Sequence, residues 1–221
     1  MHRGLFVTGT DTGVGKTVLS AAVLQRYRTA VPLRYWKPIQ TGIEQDDDTA
    51  EVRRVGACRD DEIRDAGVRL KRPVSPHLAA DLAGISIDIE SLVDDLSTEP
   101  QGTRWIVEGA GGVLVPVSDS DLMVDLMILL ALPVLVAARS TLGTINHTLM
   151  TLEAIRSRGL RVAGVVLIGP SNADNRAAIE RYGHVAVVGE MPMFDPLSPE
   201  HLGRWSREHL DTDNRLLTFL Q

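Results

Sequence analysis

The 221-residue chain has a single cysteine, Cys58. One thiol closes no internal disulfide and builds no multi-thiolate metal centre, which fits a reducing compartment. No catalytic-cysteine signature surrounds it. A basic excess is also missing: 23 Lys and Arg face 29 Asp and Glu, a formal net charge of −6. Without a basic stripe, no nucleic-acid surface is expected, although a local cluster can still take a small anion. Long apolar runs are absent too. The longest, Leu126 to Ala138, is interrupted by Pro133 and falls short of the ~20 residues that cross a bilayer. The first, Leu5-Phe6-Val7, leads straight into glycines and does not read as a secretion signal. No membrane partner and a cytoplasmic location are therefore expected. No repeat, low-complexity tract or linker divides the chain, so residues 1–221 read as one domain. The hydrophobic fraction, 44%, is ordinary for a folded core.

What is present is an alternation of short apolar runs with helical patterns. The runs predict strands at Leu5–Thr8, Leu33–Trp36, Trp105–Glu108, Pro133–Ala138, Val162–Ile168 and Val185–Val188. Near-continuous Val, Ile and Leu mark strands buried on both faces of a parallel sheet. Helices are predicted at Lys16–Tyr27, Thr49–Val55, Pro76–Leu82, Ile89–Leu96, Met123–Leu130, Asn146–Arg158, Asn175–Tyr182 and Pro199–His209. The pattern implies an α/β fold, a doubly wound and mostly parallel sheet with helices on both faces. Ligands of such sheets bind beyond the carboxyl ends of the strands, so the residues just after each strand carry the functional reading.

The first strand is followed by Gly9-Thr10-Asp11-Thr12-Gly13-Val14-Gly15-Lys16-Thr17. A glycine-rich turn opening a helix presents N–H groups and the positive end of the helix dipole to an anion. Lys16 suits the β- and γ-phosphates and Thr17 suits Mg²⁺, as in a P-loop. The strict pattern fails by one place, since its first glycine falls on Thr10. The second strand leads into Lys37-Pro38-Ile39-Gln40-Thr41-Gly42, where a strand-end lysine taken alone reads as solvated, and an acidic run, Glu44-Gln45-Asp46-Asp47-Asp48, follows. Asp47 or Asp48 can cap the next helix or supply a carboxylate to Mg²⁺; spacing does not choose. The third strand ends at Glu108-Gly109-Ala110-Gly111, where nucleotide-hydrolysing P-loop proteins place a second metal carboxylate. After the fourth strand, Leu142-Gly143-Thr144-Ile145-Asn146-His147 opens a helix, as a cap or as a second anion site.

Taken together, FVTGTDTGVGKT (residues 6–17), KPIQTG (37–42), PVSPHLAA (73–80), VEGAGG (107–112), LGTINHT (142–148) and GEMP (189–192) resemble the dethiobiotin synthetases, ATP-dependent ligases of biotin biosynthesis. The resemblance implies a P-loop NTPase-type fold and a reaction. One amine of diaminopelargonic acid captures CO₂ as a carbamate. The carbamate attacks the γ-phosphate of ATP, and the second amine then closes the ureido ring and expels phosphate. It also implies roles. Gly13, Val14, Gly15, Lys16, Thr17 and Val18 hold the phosphates of ATP, with Glu108, Gly109, Ala110 and Gly111 beside them. Thr17, Asp48 and Glu108 hold Mg²⁺. Lys16 and Lys37 are catalytic. Thr12, Lys37 and Thr41 position the diamine and carbamate. The carboxylate tail reaches Gly143, Thr144 and Asn146 of a second subunit, so a homodimer with composite sites is implied.

One departure stands out. Many members carry an adenine-reading Asn after the strand matching Val162–Ile168, where this chain has Gly169-Pro170, and Asn172 lies later. Base recognition is then expected from the backbone near Gly169, Pro192, Met193 and Phe194, with loosened preference for ATP. The competing reading is a switch ATPase of the partition and septum-placement type. Those proteins usually place a second lysine where Thr10 stands and carry a membrane- or DNA-binding surface. This sequence shows neither feature.

Overall fold

The structure, a computed structural model, describes residues 2–221. In chain order the elements are β1 (Arg3–Gly9), α1 (Lys16–Tyr27), β2 (Leu33–Trp36), β3 (Ile39–Thr41), α2 (Asp48–Val55), β4 (Ile63–Arg64), β5 (Val68–Leu70), α3 (Pro76–Ala83), α4 (Ile89–Asp94) and β6 (Arg104–Gly112). They continue with α5 (Met123–Leu130), β7 (Val134–Arg139), α6 (Thr144–Arg156), β8 (Val162–Ile168), α7 (Ala173–Gly183), β9 (Val187–Met191), α8 (Pro199–His209) and α9 (Leu217–Leu220). Among the described residues, seven strands form one sheet in the order β4-β2-β6-β1-β7-β8-β9, and β3 and β5 form a separate pair. Every strand pairing in both sheets is parallel. The predicted α/β class and doubly wound architecture are the ones observed.

Alternation along β1 shows why helices cover both faces. Leu5 and Val7 enter one apolar cluster with α1, α2 and α8, while Phe6 enters another with α5, α6 and α7. A strand apolar on both faces has no solvated side, so it holds the sheet's centre. With β6 and β7 as its neighbours, β1 ends at the middle of the carboxyl edge, where the chain turns into α1.

The observed elements depart from the predicted ones at their margins. The last strand runs to Met191 rather than Val188, because β8 pairs Ile168 with Met191. The sixth helix starts at Thr144, two residues before the predicted Asn146, since Gly143 adopts φ 93° as its cap. β3, β4, β5 and α9 carry no period long enough to read. The C-terminal segment packs on the back of the P-loop helix: Tyr27 of α1 is buried and its hydroxyl donates to Asp211. The same carboxylate accepts the N–H groups of Arg215 (2.9 Å) and Leu216 (2.8 Å), which fixes the chain's last turn against α1. Burial first, and then the neighbouring Asp211, push the Tyr27 phenol well above its usual pKa, so it stays a donor. Tyr27→Phe removes one of these three donors, and a hydrogen bond to a charged group contributes roughly 1.5–3 kcal/mol. Urea denaturation of the variant should show a loss in that range. A stability equal to the parent's would mean that the tail is held by its apolar contacts and its other hydrogen bonds, such as Arg104 to Leu220 O, without help from Tyr27.

Candidate functional site

The P-loop begins as a continuation of β1, with Thr10 N–H bonded to Ala137 O at 3.0 Å. It turns into α1 at Gly15, whose φ of 95° is one that L side chains rarely adopt. A Cβ there would also lie 2.9 Å from Ile168 Cδ1, so β8 packs directly beneath the loop. The Lys16 ammonium folds back to Asp11 O at 3.1 Å. Asp11 is braced on its other side, its carboxylate accepting from Thr12 N–H and from Arg139, each at 2.7 Å.

At the centre lies Glu108, wholly buried at the end of β6. Oε2 accepts from Ser20 Oγ and Tyr35 OH, each at 3.0 Å. Oε1 accepts from Thr17 Oγ1 at 3.1 Å and Lys37 Nζ at 2.7 Å. Lys37 also meets Asp48 Oδ2 at 2.5 Å, and Asp48 Oδ1 accepts from Thr17 Oγ1 at 2.6 Å. The Lys37 ammonium thus links the two carboxylates, and the Thr17 hydroxyl sits between them with one proton, which serves one carboxylate at a time and has its shorter contact to Asp48. Asp47 faces away and caps α2, accepting from Ala50 N–H at 3.1 Å. The alternative that spacing left open is divided between the two residues: Asp47 is the cap, and Asp48 turns into the site.

Electrostatics follow from this geometry. Burial lowers the Lys37 pKa, but Glu108 and Asp48 outweigh it and hold the amine above the usual lysine range. Burial and the like charge of Lys37 keep Lys16 below that range. Asp48 is raised by burial and lowered more by Lys37, Thr17 and Lys16, so it titrates below an ordinary aspartate. Burial and the facing carboxylates push Tyr35 well up, which fixes it as a neutral donor.

A cavity of about 760 Å³ opens over this cluster. One end is the P-loop (Thr12, Gly13, Gly15, Lys16, Thr17 and Val18); the other is Thr41, Gly42 and the run Pro73 to Pro76. Ala110 and Gly111 lie on its wall, while Val14 and Gly109 stand behind the lining, Gly109 with its Cα against the Phe6 ring. The other expected site residues sit elsewhere. Gly169 follows β8 with its N–H committed to Met191 O at 2.9 Å. A side chain at 169 would meet Ser140 Oγ at 2.6 Å. Pro192 and Met193 are exposed, and Phe194 packs edge-on against Trp205. Asn172 caps α7 by accepting from Asn175 N–H. Gly143 and Asn146 are exposed at the start of α6, whereas the Thr144 hydroxyl turns inward to Thr148.

Two residues around Glu108 escaped sequence reading. Ser20 was legible in principle, four places after Lys16 on the same helix face. Tyr35 was not, because its approach depends on the register of β2 against β6.

Fold and site together define a P-loop nucleotide-binding protein of the α/β class. A family profile described as an AAA domain matches residues 3–201. An ATP-dependent dethiobiotin synthetase BioD of Brucella ovis is 44% identical over 202 residues, covering 91% of this chain and 92% of the relative. The chain belongs to the dethiobiotin synthetase family. A biotin biosynthesis bifunctional protein BioCD of Bordetella avium is 41% identical over 215 residues, which cover 97% of this chain and 44% of that protein. Among solved structures, a ParA family ATPase from Chlorobium tepidum aligns over 100% of this chain and 98% of its own, with a TM-score of 0.58 at 10% identity. The MinC:MinD cell division complex of Aquifex aeolicus aligns over 98% and 96%, with a TM-score of 0.59 at 13% identity. These two show the shared fold.

The charge cluster makes a testable statement about stability. Asp48, with its depressed pKa, stabilises the fold above the unfolded value near 4 and loses that contribution as pH falls through its lower folded value. Lys37→Met leaves two carboxylates without their shared cation, and breaking a buried pair costs about 3–5 kcal/mol. Chemical denaturation without divalent cations should show a loss of this order at pH 7 that shrinks toward pH 4, as protonation relieves the unpaired carboxylates. A loss independent of pH would show that Lys37 contributes packing rather than charge balance.

Proposed function

We propose that this chain converts diaminopelargonic acid, CO₂ and ATP into dethiobiotin, ADP and phosphate. The observation that carries the reading is Lys37 held between Glu108 and Asp48, facing the P-loop across a two-ended cavity, in a chain of this family. At one end, the N–H groups from Gly13 to Val18 and the positive end of α1 suit the phosphates of ATP. Lys16, whose partner is only a loop carbonyl, is free to turn to the β- and γ-oxygens. At the other end, Thr12 and Thr41 offer hydroxyls, and Pro73, Val74 and Pro76 offer the apolar contact an alkyl chain needs.

The steps balance with these residues as electrostatic supports. One amine of the substrate bonds to CO₂ and loses a proton, giving the carbamate. A carbamate oxygen bonds to the γ-phosphorus as the bond to ADP breaks. The second amine bonds to the carbamate carbon and loses a proton, the carbon–oxygen bond to phosphate breaks with its electron pair leaving on phosphate, and the ring is closed. Charge accumulates where carbamate and γ-phosphate meet, and a permanently protonated Lys37 is placed to stabilise it.

Mg²⁺ fits the donors present. Thr17, Asp48 and Glu108 all offer hard oxygens; the two carboxylates already meet one cation, the Lys37 ammonium, and the Thr17 hydroxyl touches both carboxylates. Two carboxylates leave positions for phosphate oxygens and water, in keeping with a Mg²⁺ that arrives with its nucleotide. Bound there, it would neutralise phosphate charge. The exposed Gly143 and Asn146, with Leu142 fully solvated beside them, support a homodimer in which each α6 start completes the other subunit's site. Among the described residues no helix is long and apolar enough to cross a membrane, and a cytoplasmic location fits the proposed substrates. The switch-ATPase reading has the shared fold behind it, but Thr10 stands where its second lysine is expected.

Phosphate release from ATP, measured with and without diaminopelargonic acid and bicarbonate, tests the reading. Release should depend on both additions, match dethiobiotin formed, and vanish in Lys37→Met while Mg-ATP still binds; hydrolysis indifferent to both would favour the switch ATPase. Base preference forms a second test. With glycine at 169 and its N–H already bonded, catalytic efficiencies for ATP, CTP and GTP should fall within about tenfold of one another, a gap of only ~1.4 kcal/mol. A hundredfold preference for ATP would mean that other groups read the base.

A further inference from the structure

The small sheet of β3 and β5 stands apart from the main one, and its register places Gln40 opposite Arg69. Both side chains reach the start of α2. Gln40 is wholly buried, and its Nε2 donates to Asp46 O at 3.3 Å and Asp47 Oδ1 at 3.2 Å. Its Oε1 accepts from the buried Thr49 Oγ1 at 3.4 Å. Arg69 spreads its guanidinium over two elements: Nη1 donates to Lys37 O at 2.9 Å, and Nη2 to Thr49 Oγ1 at 3.4 Å and to the exposed Asp65 at 3.5 Å. Asp46, Asp47 and Thr49 bracket Asp48, and Lys37 faces it.

We propose that Gln40 and Arg69, joined through the Thr49 hydroxyl, are positioning residues for the reaction. They fix the distance between the Lys37 backbone and the turn that presents Asp48, and so set where ammonium and carboxylate meet. Neither touches the reacting atoms. Three physical points carry this. A buried amide is costly unless its donors and acceptor are satisfied, and every side-chain hydrogen bond of Gln40 falls on the turn carrying Asp48. Arginine's rigid fork holds two acceptors at a fixed separation, which a lysine point charge does not. Finally, β3 continues from Lys37 through Pro38 and Ile39, so a shift of this sheet moves both groups of the pair.

The inference rests on the proposed ligase reading, and its test separates the two. The variants are Arg69→Met, Arg69→Lys, Thr49→Val and the double Arg69→Met/Thr49→Val. The readouts are the Mg²⁺ concentration for half-maximal binding of a non-hydrolysable ATP analogue, binding of that analogue without metal, kcat, KM and thermal unfolding. Groups that orient a metal ligand alter metal affinity or activity by roughly 10–100-fold. Each single variant should therefore raise the Mg²⁺ requirement and lower kcat by about tenfold or more, with metal-free binding unchanged. Arg69→Lys should stay near Arg69→Met, and the double variant should be no worse than the worse single one. A variant that unfolds at lower temperature with parental Mg²⁺ requirement and kcat overturns the proposal, as do additive effects in the double variant. Should Arg69→Met fail to fold, the isosteric Thr49→Val decides alone. Failure of the parent protein to make dethiobiotin would sink the ligase reading, whereas the Mg²⁺ titration judges the positioning role separately.

Discussion

The buried carboxylate of Glu108 is the constraint on which the site depends. A charge taken out of water is costly unless its oxygens are satisfied by donors and its charge by a partner. Glu108 draws those from α1 (Thr17 and Ser20), from β2 (Tyr35) and from Lys37 just beyond it. Two of these donors ride on α1, one on β2 and one on the chain just after β2. The P-loop, the second strand end and the third strand end are therefore fixed relative to one another by one side chain. Replacing such a cluster with apolar groups is often neutral or better for stability. Its presence at the carboxyl edge, under the phosphate loop, is explained by chemistry rather than by folding.

The sheet supplies the rigidity this requires. β1 is apolar on both faces and flanked by β6 and β7, so the loop leaving it is anchored on three strands. Helix α1 is held from behind by α2, α8 and the tail that Asp211 ties to Tyr27. Lys16 and Thr17 begin that helix. The C-terminal segment, remote from the cavity, thus bears on the site through the helix that carries its phosphate-binding end.

Legibility in the sequence followed length and periodicity. The long strands and α1 were readable because buried parallel strands are continuous apolar runs and because a glycine-rich turn has a fixed grammar. Lys16, Thr17 and Glu108 drew attention because strand ends are where ligands bind, whereas a strand-end lysine such as Lys37 reads as solvated by itself and took its role from the family resemblance alone. β3 and β5, three residues each, have no period to detect, and with them went Gln40 and Arg69. Tyr35 was hidden for another reason: cross-strand register decides which side chain meets Glu108, and register is a property of the assembled sheet. The acidic run held two answers, a cap and a site carboxylate, and only the turn geometry separated Asp47 from Asp48.

The charge state of Lys37 constrains how the proposed chemistry runs. Held above its normal pKa by two carboxylates, it stays protonated throughout the working range. It is therefore unsuited to take the proton that the first amine loses on meeting CO₂, since a base must be free to accept. Lys16 is lowered by burial and by Lys37, yet it faces a carbonyl and the phosphate loop, where its charge is needed. Tyr35 is fixed as a neutral donor to Glu108, and Ser20 is spent on the same carboxylate. Lys37, Lys16, Tyr35 and Ser20 thus offer positive charge and hydrogen bonds rather than a base, and the remaining proton acceptors on the cavity wall are carboxylates, among them Asp46 and Glu51. Catalysis by placement and charge is what a phosphate loop facing a buried ammonium can supply.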